Sequence, residues 1–428
     1  MRKASHVRLA ALVFGLALLL TACPDDNGEA EPDEPDAADP DEEVELVWAI
    51  GGAEAQPGGT HQQVVEMWNE ENPNIQVRIE TLPESADEQR VQQSLVLDAG
   101  APDFDILGID VIWTGEYSEN EWLLSLEDHR AEMEDATLPG PFESATWGGE
   151  LWAAPYNSNA GFLYYRTDLV DEPPTTWEEL KEVGLEAAEE EGIAAYVGQG
   201  ARYEGFVVNY LEFFWSAGGE LYNEDQSEAL FADGDAAMTA VEFMQESMED
   251  GFFAPGFNTA MEEEARSEFQ SGNAVFMRNW PYAHGLIQDD EESPIREDFD
   301  IAPLPTFEGD GTISALGGFN NGVSAFSDNP EQAVEFVLWL STNEEVQNFL
   351  GERSLPPTRA ASYDELGDDP VMELLGEVLA DARARPPAPE YTELSDTIQR
   401  EMYPAYNGDA DPQQAIDAIQ QFLEGTTG

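Results

Sequence analysis

Between Val44 and Ile109 the chain repeatedly switches its hydrophobic period, and this alternation narrows the folds open to it. Val44, Leu46, Trp48 and Ile50 recur at every second position and run into Gly51-Gly52, the pattern of a buried strand ending in a tight turn. A helix is expected from about Thr60, with Val64, Val65 and Trp68 on its inner face, until Asn72-Pro73-Asn74 stops it. Ile75, Val77 and Ile79 alternate as a second strand, and a helix over 86–98 leads through Gly100 and Pro102 to a third strand over 104–109. Strands alternating with helices imply a parallel sheet covered on both faces, with ligands beyond the carboxyl ends of the strands. The same grammar returns later. Strands are expected over 161–166, 193–197, 274–277 and 299–304, and Thr176-Trp177-Glu178-Glu179 reads as a capping box. Helices are expected over 206–217, 234–249, 262–269, 330–342, 371–384 and 412–423.

Ahead of this region Arg2, Lys3 and Arg8 precede an unbroken apolar run from Leu9 to Leu20. The run falls short of the roughly 20 residues a bilayer-spanning helix needs and reads as an export signal over 1–22. Leu20-Thr21-Ala22-Cys23 resembles the lipobox of bacterial lipoproteins, which implies that Cys23, the sole cysteine, becomes a lipidated N-terminus on the outer side of the membrane. The linker over 24–43 contains no Val, Ile, Leu or aromatic residue and reads as a disordered tether. What remains, about 385 residues, exceeds what one hydrophobic core usually serves and predicts two lobes.

The formal net charge is −73, and losing the signal's three basic residues leaves 14 basic against 90 acidic side chains. Such a surface repels nucleic acid and anionic lipid heads. No calcium-loop motif is present and the acids are spread along the chain, so a solvated acidic surface, no metal and no cofactor are expected. Self-repulsion on this scale, relieved where molar salt shortens the screening length to about 3 Å, points to a halophilic protein.

Six segments, in order along the chain, resemble the extracellular solute-binding family 1 proteins, most of all the trehalose/maltose-binding members. They are I-D-V-I-W (Ile109 to Trp113), A-G-F-L-Y-Y-R-T-D-L (Ala160 to Leu169), T-W-E-E-L (Thr176 to Leu180), M-R-N-W-P-Y-A (Met277 to Ala283), L-G-G-F (Leu316 to Phe319) and A-R-P-P-A-P-E-Y (Ala384 to Tyr391). The resemblance implies a two-lobed α/β periplasmic-binding-protein fold of class II type. One lobe would hold 44–155 plus 304–354 and the other 156–303 plus 355–428, joined by hinge segments near 155–159, 300–304 and 354–358.

A sugar ring needs aromatic planes for its C–H faces and charged or amide groups for paired hydroxyls. Trp280 and Tyr282, just after the strand over 274–277, match the aromatic positions. Gly317 and Gly318 would let the backbone approach the ligand beside Phe319, where relatives more often carry tryptophan. Asp110, at the end of the third strand, and Glu54, after Gly51-Gly52, match family carboxylates. Arg385 of the A-R-P segment is either a clamp on adjacent oxygens or the partner of a nearby acid, and Arg90 is a weaker candidate. Asn157 and Asn159 flank Ser158 where relatives tend to have Tyr-Thr-Asp, which removes a ring and turns a pure acceptor into a donor and acceptor. His284 also stands where the family often has tryptophan.

These features imply a non-catalytic, monomeric binding protein that closes on a sugar and passes it to the permease of an ABC importer. A secreted glycosidase needs only two carboxylates and is a rival. So is a receptor for another polyol, a peptide or a polyamine.

Overall fold

A computed structural model describes residues 43–223, 227–309, 311–367, 369–379, 381–386 and 389–427. The expected signal peptide, Cys23 and all of the linker but Glu43 lie outside them. The strand β1 (Val44–Ile50) leads into α1 (Thr60–Glu71), and β2 (Ile75–Thr81) into α2 (Ala86–Asp98) and β3 (Ile106–Asp110). Val64, Val65 and Trp68 are buried on the inner face of α1, as the spacing predicts. β1 lies between β2 and β3, parallel to both. The third strand begins two residues later than expected, and its last residue is Asp110.

The chain continues in β4 (Ala153–Ala160), then turns at Gly161 into a second sheet with β5 (Phe162–Arg166). Helix α3 (Trp177–Glu191), strand β6 (Ala194–Val197), helices α4 (Glu204–Ser216) and α5 (Glu262–Gln270), and strands β7 (Ala274–Asn279) and β8 (Phe299–Ala302) follow. Thr176 caps α3 by accepting from the Glu179 amide at 3.1 Å, while the Glu179 carboxylate bonds the Thr175 amide, one residue away from an ideal capping box. The chain returns to the first sheet as β9 (Ala315–Val323), and α6 (Pro330–Thr342), the short β10 (Arg383–Ala384) and α7 (Tyr391–Tyr406) complete the frame.

The first sheet has the order β10-β9-β3-β1-β2 with β4 also on β9, and the second runs β8-β5-β7-β6. The expectation of parallel sheets holds only in part. β9 is antiparallel to β3 and β4, and β5 is antiparallel to β7 and β8. β4 and β9 were not anticipated as strands, because Pro155, four asparagines and Gly317-Gly318 are weak strand formers. They are held extended by neighbours on either side, so tertiary pairing overrides propensity. The helix expected over 371–384 ends at Val378, and its last two residues instead pair with Ala315 and Leu316 as β10.

Trp48 anchors the core of the first sheet. Its indole N–H donates to Asn321 Oδ1 at 2.8 Å, and it meets Tyr156 and Phe336 edge-on at 5.5 and 5.7 Å. Among the described residues no helix is long and apolar enough to cross a membrane.

Candidate functional site

The loops following β1, β2 and β3 face those following β6 and β7 across a cleft that encloses about 950 Å3 of empty space, its open mouth included. Glu54, Asp110, Asn157, Asn159, Trp280, Tyr282, Gly317, Gly318, Phe319 and Arg385 all line it. Residues as far apart in sequence as Glu54 and Arg385 therefore meet because both sheets direct their loops to one place. Asp110 and Phe319 are direct cross-strand neighbours on β3 and β9, opposite Asn157 on β4. Arg90 is the exception. Its guanidinium pairs with Glu116 at 2.8 Å and it is not part of the lining, because the neighbouring helix Thr114–Glu119 offers it a carboxylate.

The two glycines have separate physical reasons. At Gly317 a Cβ would stand 3.0 Å from the Trp280 ring, so glycine makes room for the indole. Gly318 has φ of 128°, a conformation disfavoured for other residues, just before the register shift at Phe319/Asn320. One face of Trp280 is covered by the Arg278 guanidinium, whose Cζ lies 4.0 Å from the ring centroid.

Arg385 is the partner of two nearby acids, as one of the two expectations had it. Nη1 donates to Glu204 at 2.6 Å, Nη2 to Asp110 at 3.1 Å, and Nε is buried with no partner. Burial opposes its charge, but Asp110, Tyr391 and Glu204 together overcome this and raise its pKa further. Glu204 also accepts from Tyr391 at 2.6 Å and from Ser395. Even so, burial pushes its carboxyl up to about 7 against the pull of Arg385. Glu54 accepts from the Thr60 amide at 3.0 Å and so also secures the start of α1. His61 bonds the Tyr156 hydroxyl at 3.0 Å, and burial lowers its pKa to about 3, leaving the ring neutral.

Sequence reasoning missed Glu84, Gln89, Tyr203, Glu204, Glu262 and Glu263, all in the lining. Tyr203 donates to Glu262 and Tyr282 to Glu263, each at 2.7 Å. Glu84, from the first sheet's side, accepts from the Glu263 amide at 3.2 Å at the start of α5 on the other side. Burial, reinforced by the charges of Glu264, Glu262 and Glu263, outweighs that bond and raises the Glu84 pKa. One signal was available. Gln89 and Gln93 are buried beside Leu97 on one stripe of α2, and amides there mark a face that does more than pack. The glutamates carried no such signal, since 90 acidic residues make any one read as surface.

A cleft with rings, amides and a carboxylate-held arginine is built to hold a polar ligand by its edges and faces, and the comparisons agree with that class. The model of the bacterial extracellular solute-binding proteins matches residues 51–347, and the chain belongs to this family of non-catalytic binding proteins. A probable ABC transporter-binding protein of Deinococcus radiodurans is 33% identical over 380 residues, 85% of this chain and 89% of that one. The maltotriose-binding protein of Pyrococcus abyssi is 26% identical over 342 residues, 77% of this chain and 70% of that protein. Maltose-bound T. maritima MalE3 superposes with a TM-score of 0.83 at 34% identity, over 89% of this chain and 99% of its own.

Proposed function

We propose that this protein captures a di- or oligosaccharide in the cleft and delivers it to the permease of an ABC importer. The observation that carries this reading is the meeting of Trp280, Tyr282 and Phe319 with the Arg385–Asp110 pair in one crevice, with Arg385 Nε buried and left over. Rings take the C–H faces of a sugar, and the charged pair and the amides of Asn157 and Asn159 take its hydroxyls. The maltose in MalE3, the name of the Pyrococcus protein and the transporter named for the Deinococcus relative support the ligand class and the partner.

In this reading the protein is a monomer whose two lobes, one built on each sheet, close on the ligand. The full pairing of β4 with β9 favours Gly161 over 155–159 as the first crossing. Closure is driven by the ligand's preference for the closed state. A thermal-shift screen of sugars and polyols, followed by small-angle scattering with the best ligand, tests it. A stabilising sugar should also reduce the radius of gyration, and an unchanged profile would refute closure.

Cys23 would anchor the mature protein to the outer side of the membrane, with the acidic linker as tether. The charge of −73 favours a salt-rich setting. Melting temperature should climb steadily with sodium chloride up to molar concentration, and full stability in dilute buffer would sink the halophilic reading.

A further inference from the structure

The cleft's acids are unevenly matched by bases. Arg385 holds Asp110 and Glu204, and Arg266 holds Glu263 at 2.6 Å. Among the described residues Glu54, Glu84 and Glu262 line the same cleft with no ion-pair partner, and His61 is neutral. Each has its protein contacts: Glu54 with the Thr60 amide, Glu84 with the Glu263 amide, and Glu262 with the Tyr203 hydroxyl and the Trp280 side chain. A carboxylate offers about four acceptor positions, so these contacts leave capacity toward a ligand. Glu84 and Glu262 approach from opposite sides of the cleft, and like charges brought together there oppose each other. Burial and this mutual repulsion raise the pKa of Glu84, and burial raises that of Glu262.

We infer that the cleft prefers a sugar bearing a basic nitrogen, an amino sugar or aminopolyol, over its neutral counterpart, and rejects the anionic one. The inference rests on the sugar-binding reading above and narrows it. A hydroxyl donates a bond to a carboxylate but leaves the charge in place. An ammonium donates charge-assisted bonds and neutralises the group of Glu84 and Glu262 at the same time. A uronate or sugar phosphate adds negative charge where the one arginine or lysine among the described lining residues, Arg385, already serves two carboxylates.

The test uses matched trios of probes: glucose, maltose, trehalose and maltotriose, each with its 2-amino-2-deoxy and its 6-carboxylate form. Titration calorimetry on the mature protein at pH 7 and constant salt gives the affinities. The amino form of a binding sugar should bind about tenfold more tightly than the neutral form, and the carboxylate form at least tenfold more weakly. Glu84→Gln and Glu262→Gln should each reduce the amino-to-neutral ratio, the quantity read here, toward unity. Neutral members binding as well as or better than amino members would overturn the inference while leaving the sugar reading intact. Binding of the carboxylate members alone, or of no member, would overturn both. The wild-type ratio decides the matter even if a variant fails to fold.

Discussion

Arg278 and Arg385 both have side chains only 1% exposed, and both face glutamates on α4, yet their bonding differs in one respect. Arg278 closes on the protein. Nε and Nη2 grip Glu212 at 2.9 and 2.6 Å, Nη1 reaches Gln199 at 3.1 Å, and the planar group lies on Trp280. Glu212 accepts in addition from the Ala315 amide at 3.1 Å and from Ser314, whose hydroxyl takes the Gly161 amide at 2.5 Å. The pair is thus tied to both segments by which the chain passes between the sheets. A Cβ on Gly161 would stand 2.7 Å from Glu212, so the crossing there needs glycine. Arg385 spends two nitrogens on Glu204 and Asp110 and keeps Nε unpartnered beside the cleft. A buried charge whose bonds all end on the protein serves the fold, whereas one that keeps a donor unpaired would, under the proposed function, finish on a ligand.

Replacing each arginine by methionine separates the two roles. Arg278→Met leaves the Glu212 carboxylate buried without its partner and should cost about 3–5 kcal/mol in denaturant unfolding. Arg385→Met should cost less, about 1–2 kcal/mol, because Glu204 takes up a proton near neutrality and Asp110 reaches the open cleft. Its main effect should be on ligand affinity, a loss of about ten- to a hundredfold by calorimetry. If Arg385→Met proved the more destabilising, or left affinity untouched, the contrast would be lost.

The same contrast accounts for how far the sequence could be read. Periodicity located α1 because it buries one regular apolar face, and β1 because its large apolar residues alternate even though both of its faces are buried. The cleft was legible where a distinctive residue followed a legible strand: Trp280 after β7, Asp110 at the end of β3. Strands β4 and β9 were hidden, since their extended backbone is imposed by partners more than a hundred residues away and their own Asn, Pro and Gly residues argue for loops. Arg90 was misplaced because a helix position alone does not say which carboxylate will claim a guanidinium. Glu204 was hidden for another reason. An acid in the first turn of an apolar helix suits the helix dipole and gives no hint of burial.

That burial makes Glu204 the finest test of the comparison. Its carboxyl is raised from the ordinary value of 4.5 to about 7, with burial the main cause and Asp87 adding to it against Arg385, Ser395 and Tyr391. A raised carboxyl pKa means that the folded state holds the proton more tightly than the unfolded state. The stability this contributes is fully present below pH 4.5 and is lost as pH rises through about 7. At about 1.4 kcal/mol per unit the full loss comes to roughly 3 kcal/mol, reached above pH 8. Glu204→Gln keeps the neutral form at every pH and should lack this component. The stability difference between wild type and variant, followed by unfolding from pH 4.5 to 8.5 at constant salt, should therefore drift by roughly 3 kcal/mol against the wild type. Parallel curves would mean that Arg385 holds Glu204 ionised throughout. The cleft arginine would then be as fully committed to the protein as Arg278, and its spare nitrogen would lose its significance.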